Sequence, residues 1–276
     1  MRLVIILMLI IKSFWVCGQN IERTYALANS LYDNKSFELA VDAYKRVLFF
    51  DSVGKFRNAI YPNIANCLFK SKEYIEAANY FELAYFGTED SVLKNQYILK
   101  KVSSYLILQQ IDFAEVEILN LSNKLTREQL KEKTIFEGII SFAKSDFSTS
   151  ERLFKALIQD TMKVDQLFRK NEKVSRINPK KAKILSMIMP GLGQIYVGDL
   201  KNGLNSFILT GGLMFLGIRS ALINTPLEAA IATLPWVQRY YQGGFNKAEL
   251  IANSKIQEKR FKIYNQLLDE LGNPQL

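Results

Sequence analysis

The sequence predicts an all-α protein: helix-turn-helix repeats, then a membrane-embedded helical hairpin, then a C-terminal amphipathic helix. Three observations carry this. From Ile21 to about Asp160 apolar residues recur three and four apart, as in Leu27 and Leu31 or Ala40, Tyr44 and Val47, and no apolar/polar alternation bounded by turn dipeptides interrupts them. The same stretch is similar to itself at a period of a few tens of residues. Finally, seven of the 14 glycines fall between Gly191 and Gly217, in a segment otherwise rich in Leu, Ile, Phe and Met. Glycine costs about 1 kcal/mol relative to alanine in a water-exposed helix, whereas in lipid it lets helix backbones approach closely.

Composition narrows the chemistry before any motif is read. The chain has 276 residues, enough for roughly two domains, a formal charge of +9 and no histidine. The missing imidazole removes the commonest general base and the commonest neutral metal ligand. Cys17 and Cys67 are too few for a disulfide framework or a zinc site. With carboxylates scattered and no nucleophile beside an evident base, neither catalytic residues, nor metal, nor cofactor, nor a small-molecule substrate is expected, and the chain reads as a non-enzyme.

Residues 1–18 read as a signal peptide. Arg2 gives the positive start, Leu3 to Ile11 nine apolar residues, and Val16-Cys17-Gly18 a small-x-small cleavage pattern. Lipidation at Cys17 and retention as an anchor stay open, although Trp15-Val16 suits lipoprotein processing poorly and nine apolar residues fall short of the roughly 20 that span a bilayer.

Residues 19–162 form the repeat domain. The phrase from Ser36 to Tyr44 is answered by Glu73 to Phe81 and, more weakly, by Asp146 to Phe154. In each, an aromatic is followed three residues on by a small residue (Ala40, Ala77, Ser150) and four later by another aromatic. A degenerate copy at Asp112-Phe113 puts Val116 in the small-residue role. Matching small residues in the first helices are Ala28, Ala65, Ser104 and Gly138. The pattern resembles the tetratricopeptide repeat family, whose units of about 34 residues are helix pairs stacked into a superhelix. It departs from that family in lacking the early tryptophan and the closing proline. Tyr25, Phe37, Tyr44, Tyr74, Phe81, Phe113, Phe147 and Phe154 are expected as packing between helices, not as a platform for bases, and no nucleic-acid partner is implied. The resemblance implies a groove lined by the first helices that takes a protein or peptide partner, with Asn29, Asn63, Asn66 and Lys100 as candidate lining residues.

Residues 163–183 are strongly basic and are expected as a linker that meets anionic headgroups just outside the bilayer. The hairpin domain follows at 184–244. Ile184 to Met189 is too short to cross, Gly203 to Ile218 gives 16 uncharged residues, and after Asn224-Thr225-Pro226 a second helix is expected from Leu227 to about Tyr241. Trp236, Tyr240 and Tyr241 read as an interfacial aromatic belt. Residues 245–276 are expected as a separate amphipathic helix packed on the repeats or on the 184–189 helix.

The string Pro190-Gly191-Leu192-Gly193-Gln194-Ile195-Tyr196-Val197-Gly198, with Gly203 after it and Trp236 to Gly244 closing, resembles small bacterial two-span membrane domains that Gram-negative envelope proteins join to helical repeats. The glycines are expected to permit tight turns and helix packing, with Gln194 and Tyr196 bonding groups left free at the break. A dinucleotide loop is excluded, because Tyr196 stands where a third glycine would be needed and no strand precedes it. With the signal cleaved, the repeats and both ends of the hairpin are expected outside, which gives an inner-membrane protein with its repeats facing the periplasm. That orientation puts the basic segment outside, against the positive-inside tendency. The function expected is a membrane-tethered scaffold for protein partners in the cell envelope. The alternative is an accessory factor for membrane-protein insertion or assembly acting through the glycine-rich hairpin.

Overall fold

A computed structural model describes residues 20–272, and the expected signal peptide with Cys17 lies outside them. The described residues are helical, with no strand among them. They divide into two compact units, one running to Leu157 and the other starting at Ile158.

The first unit contains α1 (Ile21–Asp33), α2 (Phe37–Phe50), α3 (Arg57–Lys70), α4 (Tyr74–Phe86), α5 (Ser91–Ile107), α6 (Ile111–Leu119), α7 (Arg127–Ala143) and α8 (Phe147–Leu157). They pack as four consecutive pairs, α1 with α2 through to α7 with α8. One turn recurs in every pair. Lys35, Lys72, Gln109 and Ser145 have φ of 60°, 67°, 58° and 66°, and they are the only non-glycine residues with positive φ among those described. At each, the N–H of the following residue (Ser36, Glu73, Gln110, Asp146) bonds the carbonyl five back (Leu31, Leu68, Tyr105, Ser141). The turn residue itself bonds the carbonyl three back, which is the Schellman termination. A left-handed residue costs about 1 kcal/mol or more without glycine, so this shared geometry is held by the packing of the helices on either side.

The turns set a register that the sequence pattern misses in the third pair. Five residues after each turn residue comes a fully buried small side chain: Ala40, Ala77, Ala114 and Ser150. Nine after it comes the side chain packed between helices: Tyr44, Phe81, Ile118 and Phe154. The expected third copy was displaced by two residues, since Val116 and Phe113 are 57% and 61% exposed. Isoleucine replaces the aromatic there, so an aromatic search settles on Phe113 instead. In the first helices Ala28, Ala65, Ser104 and Gly138 are all buried. Gly138 is there for closeness, because a Cβ on it would lie 3.3 Å from the Phe154 ring and its carbonyl accepts from the Ser150 hydroxyl.

Polar groups tie the middle pairs. Asn95 is fully buried and exchanges bonds with Ser122 while donating to the Lys124 carbonyl, and the Gln129 amide donates to the Val92 carbonyl. Lys101 on α5, 7% exposed, reaches Glu82 on α4 at 3.1 Å and Glu117 on α6 at 2.9 Å. Burial works against its ammonium, yet the two carboxylates outweigh it and hold the pKa above the ordinary lysine value.

The second unit contains α9 (Thr161–Ser175), α10 (Pro179–Ile188), α11 (Leu192–Tyr196), α12 (Leu200–Ile223) and α13 (Pro226–Glu270). At 45 residues α13 is about 68 Å long, and every other helix of the unit packs on it. Two expectations change here. The second membrane helix and the amphipathic helix are one continuous α13, with Gly243 and Gly244 inside it. The expected basic linker, residues 163–183, is packed structure: Val164, Leu167, Phe168 and Val174 of α9 are buried, while its cations face outward or pair. Lys163 meets Glu270, and Lys183 meets Glu249. The 3.6-residue apolar stripe of α9 was hidden in the sequence by the charge around it.

Candidate functional site

The glycine-rich motif from Pro190 to Gly203 lies where α10, α11 and α12 meet α13. Asn178 caps α10 through its side chain to the Lys181 N–H, and Pro179 opens the helix, where its missing N–H is no loss. Pro190 ends the segment, and Gly191 turns it with φ of 91°. Three glycines here replace side chains that could not fit. A Cβ on Gly191 would stand 2.1 Å from the Gly203 carbonyl oxygen, one on Gly193 1.8 Å from the Ala182 carbonyl oxygen, and one on Gly203 2.6 Å from the Ile195 side chain. Gly198 differs, since it faces open space and serves the turn through its φ of 81°.

Gln194 is the polar centre of this crossing and is completely buried. Its carbonyl accepts from the Ser186 hydroxyl at 2.8 Å, that hydroxyl accepts from the Gly193 N–H at 2.9 Å, and its amide donates to the Gly244 carbonyl at 2.8 Å. It was expected to hold groups freed at the break, but it joins the opening motif to the closing one. Tyr196 is partly exposed, with its hydroxyl between the Asn178 N–H and the Arg176 carbonyl, and Lys181 lies 5.3 Å from its ring centroid. Tyr241, read as part of an aromatic belt, donates to the Met187 carbonyl at 2.6 Å.

Beyond Gln194 the seam between α12 and α13 has two halves. Toward the Asn224-Thr225 connection lies an apolar cleft of about 390 Å³ lined by Leu213, Gly217, Ala229 and Thr233 among others. Toward Gln194 lies a second cavity, also about 390 Å³, lined by Asn202, Asn205, Ser206, Thr210, Arg239 and Lys247 with Gln194, Leu209, Tyr240, Gly243 and Gly244. No carboxylate lines it. Ser206 Oγ and Thr210 Oγ1 are buried there without a hydrogen-bond partner. Arg239 and Lys247 form no ion pair among the described residues, although Lys247 and Lys255 lie near enough to Asp199 to help hold its carboxyl low, after its bonds to Asn202. Sequence reasoning missed this cavity, yet a signal was present. Asn202, Ser206 and Thr210 are spaced by four, one polar stripe along an otherwise apolar helix.

The candidate groove residues of the first unit sit differently from expectation. Asn29 accepts from the Tyr44 hydroxyl at 2.7 Å, and Asn63 donates to that same hydroxyl at 3.2 Å. Asn29 Oδ1 and Asn63 Nδ2 are thus engaged with a buried tyrosine whose pKa burial pushes upward. Asn66 is half-buried on α3, and the Lys100 ammonium lies 5.8 Å from the Phe69 ring centroid.

α12 is the helix that places the site. Within its 24 residues an 18-residue stretch has a mean hydropathy of 1.7, and only 6% of that stretch is buried. At about 36 Å it is long enough to cross a hydrocarbon core of about 30 Å. Phe207, Ile208, Phe215, Leu216, Ile218 and Leu222 all face outward from the unit. Comparison with protein-family models, curated proteins and solved structures returns no match to this chain.

Proposed function

We propose that the protein is a non-enzymatic scaffold tethered to the bacterial inner membrane, with its first unit displayed in the periplasm as a tetratricopeptide-like array that binds protein partners. The carrying observation is α12. A helix this apolar in a water-soluble protein would be buried in a core, and this one presents its Leu, Ile and Phe side chains outward. Burying such a side chain is worth about 1.5–3 kcal/mol, and a bilayer supplies that burial. The α12 and α13 pair then enters as a two-span hairpin. The glycine crossing around Gln194 fixes the angle at which it leaves α10.

Partner binding by the first unit is supported by a repeated surface feature. Phe49, Phe86 and Leu119, in the last turns of α2, α4 and α6, are 82%, 70% and 78% exposed. Large apolar groups recurring at the same end of the second helix in three successive pairs suit an elongated partner better than chance exposure does.

Protease accessibility in intact spheroplasts tests this reading, with tags after Gln19 and at Leu276. Digestion of both tags from outside is expected. Protection of either, or recovery of the full chain in the soluble fraction without detergent, overturns it.

A further inference from the structure

We propose that the polar half of the α12/α13 seam binds a phosphate group, supplied by the headgroup of an anionic phospholipid. The proposal rests on the membrane placement above and goes beyond it by naming a ligand. Gly244 lies against Ser206 and Gly217 against Thr233, which sets Arg239 level with Gly211, half-way along α12. An arginine at that depth of an apolar helix pair is costly, and such residues mark binding sites or pathways. Here it lines a cavity together with a second cation, Lys247, and Asn205, while Asn202 is bonded to Asp199 and the Ser206 and Thr210 hydroxyls are buried beneath the lining.

Charge and hydrogen bonding select the ligand class. The lining carries two cations and no carboxylate, and although Asp199 beside it offsets Lys247 in part, Arg239 has no carboxylate partner among the described residues, so an anion is favoured and a cation is not. A phosphate offers several acceptor oxygens and matches the planar fork of arginine. The cavity's volume falls within the usual range of small-ligand sites. Its flanks are apolar, with Leu209 in the lining and Leu204, Phe207 and Ile208 exposed beside it on α12. Acyl chains attached to a phosphate therefore have a surface to follow.

The test uses the full-length protein in nanodiscs of phosphatidylcholine with a minor share of phosphatidylglycerol, followed by detergent exchange and mass spectrometry of the lipid that stays bound. Wild type is expected to retain phosphatidylglycerol in preference to phosphatidylcholine. Arg239→Gln and Lys247→Gln should each reduce that preference about fivefold, while Arg239→Lys retains most of it and Arg219→Gln, remote from the cavity, leaves it unchanged. Addition of millimolar inorganic phosphate distinguishes the source. Failure to displace the lipid supports the headgroup, and displacement with retained dependence on Arg239 assigns the site to free phosphate. Retention of the two lipids by wild type in proportion to their shares of the nanodisc, or an unchanged preference in the Arg239→Gln/Lys247→Gln double variant, overturns the proposal. If the chain instead proves soluble without detergent, the tether fails, and titration of inorganic phosphate into that soluble protein still decides the site.

Discussion

The side-chain amide of Gln194 donates to the backbone carbonyl of Gly244, 50 residues further along the chain. Because Gly244 is inside α13 and Gln194 is inside the short α11, this bond ties α11 to α13, alongside the bond from Tyr241 of α13 to the Met187 carbonyl. A longer side chain at 244 would collide with Ser206, whose Oγ would lie 2.7 Å from the added Cβ.

Gln194→Leu should therefore leave the Gly244 carbonyl and the Ser186 hydroxyl without this buried partner, and lower stability by about 1–3 kcal/mol. Gln194→Glu should cost more, since a carboxylate cannot donate to the Gly244 carbonyl. Thermal unfolding in detergent, compared with wild type, checks both.

The glycines divide into those that are required and those that are not. Gly193→Ala forces a Cβ onto the Ala182 carbonyl and should destabilise by at least about 2 kcal/mol, by parting α10 from α11. Gly211→Ala meets open space and should be neutral or stabilising by up to about 1 kcal/mol. Melting temperatures of the two variants side by side give the comparison.

Lys101→Met should destabilise the first unit by about 2 kcal/mol. Removing one member of a fully buried ion pair costs about 3–5 kcal/mol, but Glu82 is half exposed and water takes over its share. The native contribution has a sign: with the folded pKa of Lys101 raised, its stabilisation is complete at neutral pH and is lost as pH rises through that raised value. Denaturant unfolding near pH 7 and above the ordinary lysine pKa should show wild type and variant converging.

Glu132 gives the opposite case. Burial lifts its pKa above the ordinary glutamate value, with the nearby Lys100 charge lowering it only in part. The native state then holds this proton more tightly than the unfolded chain, so stability falls as pH rises from the ordinary value through the raised one. Glu132→Gln should stabilise the protein at neutral pH, and the gain should vanish below the ordinary glutamate pKa. A series of melting curves across that range checks the slope.

Much of this architecture could be read from the residues. The three-and-four spacing of apolar side chains and the glycine-rich apolar run from Gly191 were sufficient for an all-helical chain with an apolar helix able to cross a membrane, because both signals are local and depend on the 3.6-residue turn. Ala40, Ala77 and Ser150 were placed correctly for the same reason. Pairing across the chain was not legible. Ala114 and not Val116 fills the third small position, Asn29 and Asn63 meet on the Tyr44 hydroxyl, and α13 runs through Gly243-Gly244 without a break. Arg239, Ser206 and Thr210 came together only once α12 lay antiparallel on α13. Periodicity states which face of a helix is apolar, but hydrogen bonds between residues tens of positions apart depend on crossing geometry. That geometry is set by close backbone contacts such as Gly193 on Ala182, which no local pattern encodes.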